Sequence, residues 1–510
     1  MRLLPIAIVA MSILAGCAGT RPGGDDTPPD ALKPTIPEDW AERALPSGEG
    51  HDHFNATQHQ NLSTANFDLL GYNPLVSQSY GITPGYHLCG DATDTGERRF
   101  AAVQGGGDVA FILVDVTDAR DPKVIGELLM PTTSARDIAL TPDGKYVIVG
   151  TSGAKAPERG PVPPRSEQPT AIWRSPCNSQ DLILAGPEQN LPLSNGVVLV
   201  SIQTPATPEI QSYFPLPALG AHSVYAQKLG NQYYVLASVT NLLTATTYFH
   251  LLDILETEDT AALVHVSYIL EQPHEGNAPL INGHNDGVIV PHPINNRVYG
   301  WFALWHQGLA IVDLSNPRAP MVVGRWTDNP PGNTALGTND HGDIHEALPL
   351  NETWDGKHYT FVGQEIIGRP SYAPSGYMKV LDTTDPTKPT VVTQWNLPVD
   401  VEWNASLQFS THYISRHNQT LFMSHYHAGV WAIDLSNLSM PQLPAIGVFV
   451  PANISPKPPP TVRAYDWTPT VMENNALPNG DIVVWDSSSG VYLVHFDEMN
   501  KAPPAIWEGN

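Results

Sequence analysis

Cysteine is scarce in this sequence, and acidic residues outnumber basic ones by almost two to one. The 510 residues include three Cys, 26 Lys and Arg, and 51 Asp and Glu, for a formal net charge of −25. Nucleic acids and anionic membrane surfaces are bound through Lys and Arg, so this balance argues against a nucleic-acid partner and a basic membrane-surface binder. The sequence contains no Gly-x-Ser-x-Gly elbow, phosphate-cradling glycine loop or Cys-x-x-Cys pair. It therefore lacks the common hydrolase, nucleotide-binding and thiol-redox motifs.

What the sequence does contain is one segment that recurs seven times. The clearest copy runs from Gly308 to Pro320 and is followed by Val322–Trp326. The copies align on a turn residue, and in five of them a proline falls seven places later: Asp115 with Pro122, Ser201 with Pro208, Asp313 with Pro320, Asp382 with Pro389, and Asp434 with Pro441. The copy at Asp253 lacks this proline, and the copy at His495 has it one place late. Such a fixed period is typical of a repeat architecture.

Each copy predicts four β-strands. Alternating apolar residues such as Leu309, Ile311 and Leu314 predict a half-buried strand, and the Asp-x-Ser-Asn-Pro run at 313–317 predicts a turn. Seven copies without a long helix predict an all-β fold, a seven-bladed β-propeller of four-stranded blades over residues 61–510. Residues 155–194 read as an insertion in the second blade. A continuous array of β-sandwiches is the alternative.

The N-terminus predicts a targeting segment rather than a folded element. Residues 3–14 are apolar, and Leu-Ala-Gly-Cys at 14–17 resembles the lipobox of bacterial lipoprotein signals. The resemblance implies a signal peptide over 1–16, acylation of Cys17, and sorting to the outer membrane of the cell envelope, facing the periplasm or the exterior. An ordinary signal peptide is the alternative. Residues 17–60 predict a flexible tether, and no later run predicts a bilayer span. We therefore expect membrane attachment only through acyl chains on Cys17.

The repeat also carries a family resemblance. Residues 311–317 (Ile-Val-Asp-Leu-Ser-Asn-Pro), echoed at 113–118 and 432–437, resemble the LVIVD-repeat propellers of bacterial envelope proteins. This resemblance covers about residues 78–510 and implies the architecture without implying an activity. A second resemblance, to the selenium-binding protein and methanethiol oxidase family, depends on a histidine-rich propeller core and on His345-Glu346. The matching stretch is too short to assign the family's catalytic residues to positions in this sequence, and a matching cysteine motif is absent.

Two cysteines remain if Cys17 is acylated. In an oxidising compartment Cys89 and Cys177 are expected to form a disulfide, which would attach the 155–194 insertion to the first blade. Two unrelated thiols are one alternative. The other is that Cys89, which is close in sequence to His87, is a metal ligand.

Histidine recurs at the first strand of most copies. Aligned on that strand, the copies place one residue each at an equivalent position: His87, Arg136, His222, His284, His345, His412 and Tyr465. The first strand of each propeller blade lines the central channel, so these side chains are expected to converge at one level. Imidazole is a good ligand for Cu, Fe and Zn, so the five histidines predict a transition-metal site. The alternative is structural, with each histidine forming a hydrogen bond to the neighbouring blade.

A second set of residues precedes the third strand, on the same face of the ring. His306, His427 and Glu365 belong to this set and are candidate metal ligands, with Glu365 also a candidate general base. Arg136 is expected to hold an anionic group of a substrate through a bidentate contact. Tyr465 is expected to donate a proton or a hydrogen bond.

The sequence thus predicts a lipid-anchored envelope propeller that binds a transition metal in its axial funnel. The expected activity is chemistry on a small molecule, with metal-dependent oxidation as the favoured class. The alternative from another class is a non-catalytic scaffold that binds an envelope protein partner through its loop faces. Storage of a metal or ligand without turnover is a third possibility.

Overall fold

The structure is a computed structural model, and it describes most of the chain beyond the tether. The described residues are 64, 66–79, 89–105, 109–130, 135–151, 172–174, 182–184, 195–216, 220–241, 246–258, 260–269, 287–304, 307–327, 344–365, 377–397, 410–426, 428–451, 471–487 and 490–499. Only the backbone is described for Arg136 and for 172–174, 182–184, 240–241 and 246–247.

The described strands form seven sheets. The first strand of the chain is β1 (Phe67–Asn73). The first sheet contains β2 (Gly90–Asp94), β3 (Arg99–Gln104), β4 (Val109–Asp115) and β5 (Lys123–Leu129). The second sheet contains β6 (Ala135–Leu140), β7 (Tyr146–Thr151), β8 (Ile172–Arg174), β9 (Leu182–Leu184), β10 (Gly196–Ser201) and β11 (Glu209–Pro215). The third sheet contains β12 (Val224–Leu229), β13 (Gln232–Asn241), β14 (Thr246–Glu256) and β15 (Ala261–Ile269).

The remaining four sheets follow in chain order. The fourth contains β16 (Gly287–Pro291), β17 (Val298–Ala303), β18 (Leu309–Asp313) and β19 (Met321–Trp326). The fifth contains β20 (Ile344–Pro349), β21 (Tyr359–Gln364), β22 (Tyr377–Asp382) and β23 (Thr390–Asn396). The sixth contains β24 (Ile414–His417), β25 (Thr420–Ser424), β26 (Val430–Asp434) and β27 (Ala445–Phe449). The seventh contains β28 (Val471–Ala476), β29 (Asp481–Asp486) and β30 (Gly490–Phe496), with β1 as its fourth strand.

The seven sheets close into a ring. The first strand of each sheet contacts the first strands of both neighbouring sheets, in the cycle β2, β6, β12, β16, β20, β24, β28 and back to β2. Only a circular arrangement with these strands at the centre satisfies all seven contacts. The predicted seven-bladed β-propeller is therefore confirmed. The described part of the chain holds no helix that could cross a bilayer.

The ring is closed by a strand from the start of the chain. β1 pairs antiparallel with β30, from Phe67 opposite Phe496 to Asn73 opposite Val491. The Phe67 ring also packs 4.8 Å from the Phe496 ring and 6.3 Å from that of Phe422 in the sixth sheet. The pairing makes β1 the outer strand of the seventh sheet, so the start of the chain acts as the clasp that closes the ring.

The predicted turns form as expected. Asp313 Oδ1 accepts a hydrogen bond from the Ser315 amide at 2.9 Å, and Asn316 Oδ1 accepts one from the Arg318 amide at 3.2 Å. The same two-step turn recurs in other sheets, where the first acceptors are Asp115, Asp382 and Asp434 and the second are Asp118, Asp385 and Asn437. Short polar side chains thus complete the turn at the end of the third strand in these four sheets.

The core lies between the sheets, and this changes one prediction. β18 was expected to be half-buried, but all five of its residues are buried. Each propeller sheet is covered on both faces by its neighbours, so both faces of its central strands must be apolar. Trp301 and Ile311 of the fourth sheet, for example, pack with Ile344 and Val362 of the fifth.

The insertion in the second sheet extends that sheet outward. β8 and β9 form a short hairpin, and β8 pairs in parallel with β11 opposite Tyr213. The sheet order is β6-β7-β10-β11-β8-β9, so the hairpin lies beyond the outermost ordinary strand.

Candidate functional site

The equivalent position predicted for the first strands, which we call the ring position, lies at a β-bulge in three of the seven sheets. Residues can be counted along the paired strands of each sheet, starting from its turn residue. This count gives the same position to Arg136, His222, His345 and His412, as the sequence predicted. His345 lies in a β-bulge between Ile344 and Glu346, and the bulge recurs between 135 and 137 and between 471 and 473. Bulges turn a side chain out of the regular alternation of a strand. In this fold the bulges therefore change the direction of the side chain that lies nearest the propeller axis.

His345 and His412 come together across adjacent sheets. Their ring centroids are 4.4 Å apart, and the planes are inclined by 36°. His345 Nδ1 lies 3.1 Å from the carbonyl oxygen of His412, and His412 Nδ1 lies 2.8 Å from that of Met472 in the seventh sheet. The interblade hydrogen bond that the sequence offered as a structural alternative is therefore present at both histidines.

These two hydrogen bonds define the state of both rings. A carbonyl oxygen only accepts, so Nδ1 must carry the proton in each imidazole, and in the neutral form Nε2 is then the electron-pair donor. Metal-binding histidines commonly use one ring nitrogen for a backbone carbonyl and the other for the ion. The structural role and the metal-binding role are thus compatible in the same side chain.

Glu365, at the end of β21, completes the group. His345, Glu365 and His412 are all buried, and one ligand atom from each lies within 4.8 Å of the others. Glu365 Oε2 is 3.6 Å from His345 Nε2. The hydroxyl of Tyr426, from the sixth sheet, donates a hydrogen bond to the other carboxylate oxygen, Oε1. The Tyr426 ring also stands edge-on to His412, with 5.3 Å between centroids.

The contact between His345 and Glu365 is not an ion pair at neutral pH. Burial lowers the pKa of His345 to about 4, and the hydrogen bond to the His412 carbonyl only partly opposes this. The imidazole is therefore neutral, and its Nε2 and the carboxylate oxygen that faces it are both electron-pair donors. A separation of 3.6 Å is also too long for a hydrogen bond.

A second group of metal-binding residue types has a different explanation. Ligand atoms of Cys89, Asp137 and Glu473 lie within 4.8 Å of one another. The carboxylates accept backbone hydrogen bonds from the next sheet, Asp137 from the Val224 amide at 2.7 Å and Glu473 from the Gly90 amide at 2.5 Å. These contacts satisfy amides of the innermost strands and join neighbouring blades, so we assign this group a structural role.

Several predicted residues lie apart from the histidine pair or outside the described residues. His222 occupies the equivalent position in the third sheet and does not join His345 and His412 within the described part of the chain. The Arg136 backbone lies in the second sheet, far round the ring from the fifth, and its side chain is not described. The remaining predicted positions outside the described residues are Cys17, His87, Cys177, His284, His306, His427 and Tyr465. The disulfide between Cys89 and Cys177 thus stays a prediction.

In the last copy the first strand begins later in the chain than the sequence alignment predicted. Tyr465 was aligned with the start of the first strand, but that strand is β28, which begins at Val471. Strand pairing puts Met472 at the ring position of the seventh sheet. The error arose because the 452–470 stretch is longer than the corresponding stretch of other copies. A role for Tyr465 itself remains a prediction.

Tyr426 is the site residue that the sequence reasoning missed. Its hydroxyl orients Glu365. Strand pairing makes Tyr426 the counterpart of Glu365 in the next sheet, so the same alignment that identified Glu365 could have identified Tyr426. Its backbone has a φ of 44°, which is rare for an aromatic residue.

Comparisons with known proteins agree with the fold and do not extend to activity. The LVIVD repeat family model matches residues 298–328. No curated protein sequence matches the chain. The resemblance to the selenium-binding protein family is not shown by these two comparisons.

Solved structures share the propeller architecture. The WD40 β-propeller domain of Doa1 is 11% identical, covers 85% of this chain and 97% of its own, and has a TM-score of 0.43. U3-55K is 9% identical, with coverages of 85% and 99% and a TM-score of 0.45. The propeller domain of Cps50 (Swd1) from Myceliophteria thermophila is 9% identical, with coverages of 81% and 97% and a TM-score of 0.43. With its sheet topology and the repeat match, the chain is a seven-bladed β-propeller that carries an LVIVD repeat.

Proposed function

We propose that this protein is a lipid-anchored propeller of the bacterial cell envelope that binds a transition-metal ion through His345, His412 and Glu365. It acts on a small molecule at that ion, and oxidation is the reaction class. One observation carries the proposal: His345 Nε2 faces Glu365 Oε2 at 3.6 Å, although both atoms are electron-pair donors. Two electron-pair donors that face each other at this distance repel, and a cation between or beside them would relieve the repulsion.

The residues around the three candidate ligands support this role. The carbonyls of His412 and Met472 hold Nδ1–H of the two rings, so Nε2 is presented as the ligand atom. The Tyr426 hydroxyl donates a hydrogen bond to Oε1 of Glu365, and this contact fixes the orientation of the other carboxylate oxygen, Oε2. All of these groups are attached to strands of adjacent sheets, which keeps the site rigid before any ion binds.

The donor set is suited to particular ions. Two imidazoles and one carboxylate favour Fe, Zn or Cu over Mg or Ca, and this set with open positions is typical of non-haem iron sites that use oxygen. When bound, such an ion would supply an open position at which oxygen, a thiol or a peroxide is activated. Arg136 and Tyr465 remain proposed substrate-binding and proton-donating residues.

Metal analysis tests the proposal directly. The protein would be purified without a chelating tag, loaded in turn with Fe(II), Zn(II) and Cu(II), and assayed for bound metal. We compare the wild type with a His345→Asn/His412→Asn variant, because an asparagine amide can still donate near the position of Nδ1. The matched control is His417→Asn/His495→Asn, which removes two histidines paired with Glu498 and Asp481 near the surface.

We expect stoichiometric metal in the wild type and in the control, and its loss in the ring variant. Equal metal content in the ring variant and the wild type would remove the proposal. The anchor is tested separately by a Cys17→Ala variant, which should leave the membrane fraction and become soluble.

The second candidate function is a non-catalytic interaction scaffold. The β8–β9 hairpin favours it, because among the described strands this hairpin alone extends a sheet beyond its ordinary outer edge. This candidate predicts that capture of an envelope partner survives the His345→Asn/His412→Asn change and is lost when residues 155–194 are deleted. Capture that fails with the ring variant alone would exclude it.

A further inference from the structure

A second histidine pair lies away from the ring, between the second and third sheets. His250 is on β14 and His265 is on β15, and their ring centroids are 5.3 Å apart. Three aromatic side chains surround them, those of Phe214, Tyr248 and Tyr268. None of these residues belongs to the site described above.

A β-bulge brings the two histidines to the same face. His250 pairs with Tyr268, whereas Leu252 pairs with His265, so one extra residue is inserted in β15 between these two pairs. Paired residues share a face, and so do residues two apart on one strand. His265 therefore faces the same way as His250 and Tyr268, and without the extra residue it would face the opposite way.

The hydrogen bonding of this pair is incomplete. His250 is 3% exposed, and neither Nδ1 nor Nε2 has a hydrogen-bond partner among the described residues. His265 Nε2 is in the same situation. Buried polar atoms without partners are rare and often mark a bound ion or water. Burial lowers the pKa of His250 to about 3 and also lowers that of His265, so both rings are neutral donors of electron pairs.

We propose that His250 and His265 bind a Cu(I) ion. An imidazole nitrogen about 2 Å from an ion puts its ring centroid about 3.2 Å from that ion, so two such rings have centroids about 5 to 6.5 Å apart, depending on the angle at the ion. The observed separation of 5.3 Å corresponds to a bent arrangement that leaves a further position open at the ion. Among the described residues no third His, Cys, Asp or Glu completes a group with these two. A neutral pair of nitrogens suits a monovalent ion that accepts low coordination numbers, whereas a buried divalent ion would need an anionic ligand.

The aromatic surroundings favour the same ion. The Tyr268 ring lies 4.9 Å from that of His250 and 4.5 Å from that of His265, and Phe214 stacks on His265 at 6.0 Å. Aromatic faces attract cations and keep water away from an ion that is easily oxidised. Tyr268 is 41% exposed, and His265 is half-buried, so an ion can reach the pair from the surface.

Anaerobic titration with Cu(I) against a chromophoric Cu(I) chelator tests this site. The His345→Asn/His412→Asn protein is used as the background, so that failure of the ring site cannot be mistaken for failure of this one. We expect that background to take up one equivalent of Cu(I), and the further change His250→Leu or His265→Leu to abolish the uptake. His495→Leu, at a half-exposed histidine, is the matched control and should retain it.

Two further readouts guard against loss by misfolding. X-ray absorption of the loaded background should show a Cu(I) edge and two nitrogen neighbours. The metal-free His250→Leu protein should melt at or above the temperature of its parent, because an unpartnered polar group is replaced by an apolar one. Absence of Cu(I) uptake in the background, or uptake unchanged in both leucine variants, would overturn the proposal.

Discussion

His345 Nδ1 lies 3.1 Å from the carbonyl oxygen of His412, so the imidazole that faces Glu365 also joins the fifth sheet to the sixth. His412 repeats this arrangement toward Met472 of the seventh sheet. The same side chains therefore contribute to the stability of the ring and to the candidate metal site. Experiments on this site have to separate the two contributions.

Tyr426→Phe offers such a separation. The change removes the hydroxyl that donates to Glu365, and we expect metal affinity to fall roughly 10- to 100-fold, because partners that orient a ligand contribute this much. Stability should fall by about 1–3 kcal/mol, since a buried carboxylate loses a donor. Tyr213→Phe is the control, because it also removes a tyrosine hydroxyl that donates a hydrogen bond, in this case to the backbone carbonyl of Asn195. It should affect stability alone, and a similar loss of metal affinity in both variants would contradict the assigned role of Tyr426.

Acid should destabilise the fold through His358. This residue is fully buried beside His292, with 4.5 Å between ring centroids. Burial lowers its pKa to about 4, and the hydrogen bond to the Leu350 carbonyl only partly opposes the shift. The unfolded state binds the proton more readily, so the stabilisation is complete above about pH 6.5 and declines as the pH falls toward 4. The loss should reach about 3 kcal/mol, at roughly 1.4 kcal/mol per pH unit. Urea unfolding of the wild type and His358→Gln between pH 4 and 7 measures this, and equal pH slopes would contradict it.

Gly324 should be intolerant of any side chain. A Cβ there would lie 1.9 Å from the carbonyl oxygen of Pro386 in the turn of the next sheet. Because a backbone atom cannot move away cheaply, we expect Gly324→Ala to lower the free energy of unfolding by about 1–3 kcal/mol. Gly150→Ala is the comparison, since the nearest atom there is a side-chain methyl of Val224 at 3.0 Å. Equal losses for the two variants, measured by urea unfolding, would disprove the interblade contact.

Closure of the ring by β1 should be measurable through Phe67. The Phe67 side chain is 2% exposed and packs on phenylalanines of the sixth and seventh sheets. Phe67→Ala should therefore reduce stability by about 3–5 kcal/mol, as expected for a large buried aromatic residue. Met499→Ala, at a residue that is 94% exposed, should have almost no effect. A loss below 1 kcal/mol at Phe67 would indicate that the segment only covers the seventh sheet.

The sequence alone determined the architecture of this protein. The seven-fold recurrence of the turn residue, followed in five copies by a proline seven places later, indicated the number of sheets. Each copy can bury its apolar strands only against another copy. The same alignment placed Arg136, His222, His345 and His412 at one register, since side-chain direction along a strand follows from strand pairing.

Only the tertiary structure decided which of these residues meet. His345 and His412 come together because their sheets are neighbours in the ring, whereas His222 lies on a sheet that is not adjacent to theirs. The roles of Tyr426 and Met472 depend on contacts between sheets, and the bulge that aligns His250 with His265 depends on strand register. The repeat pattern describes one sheet at a time, so it cannot specify distances between side chains of different sheets.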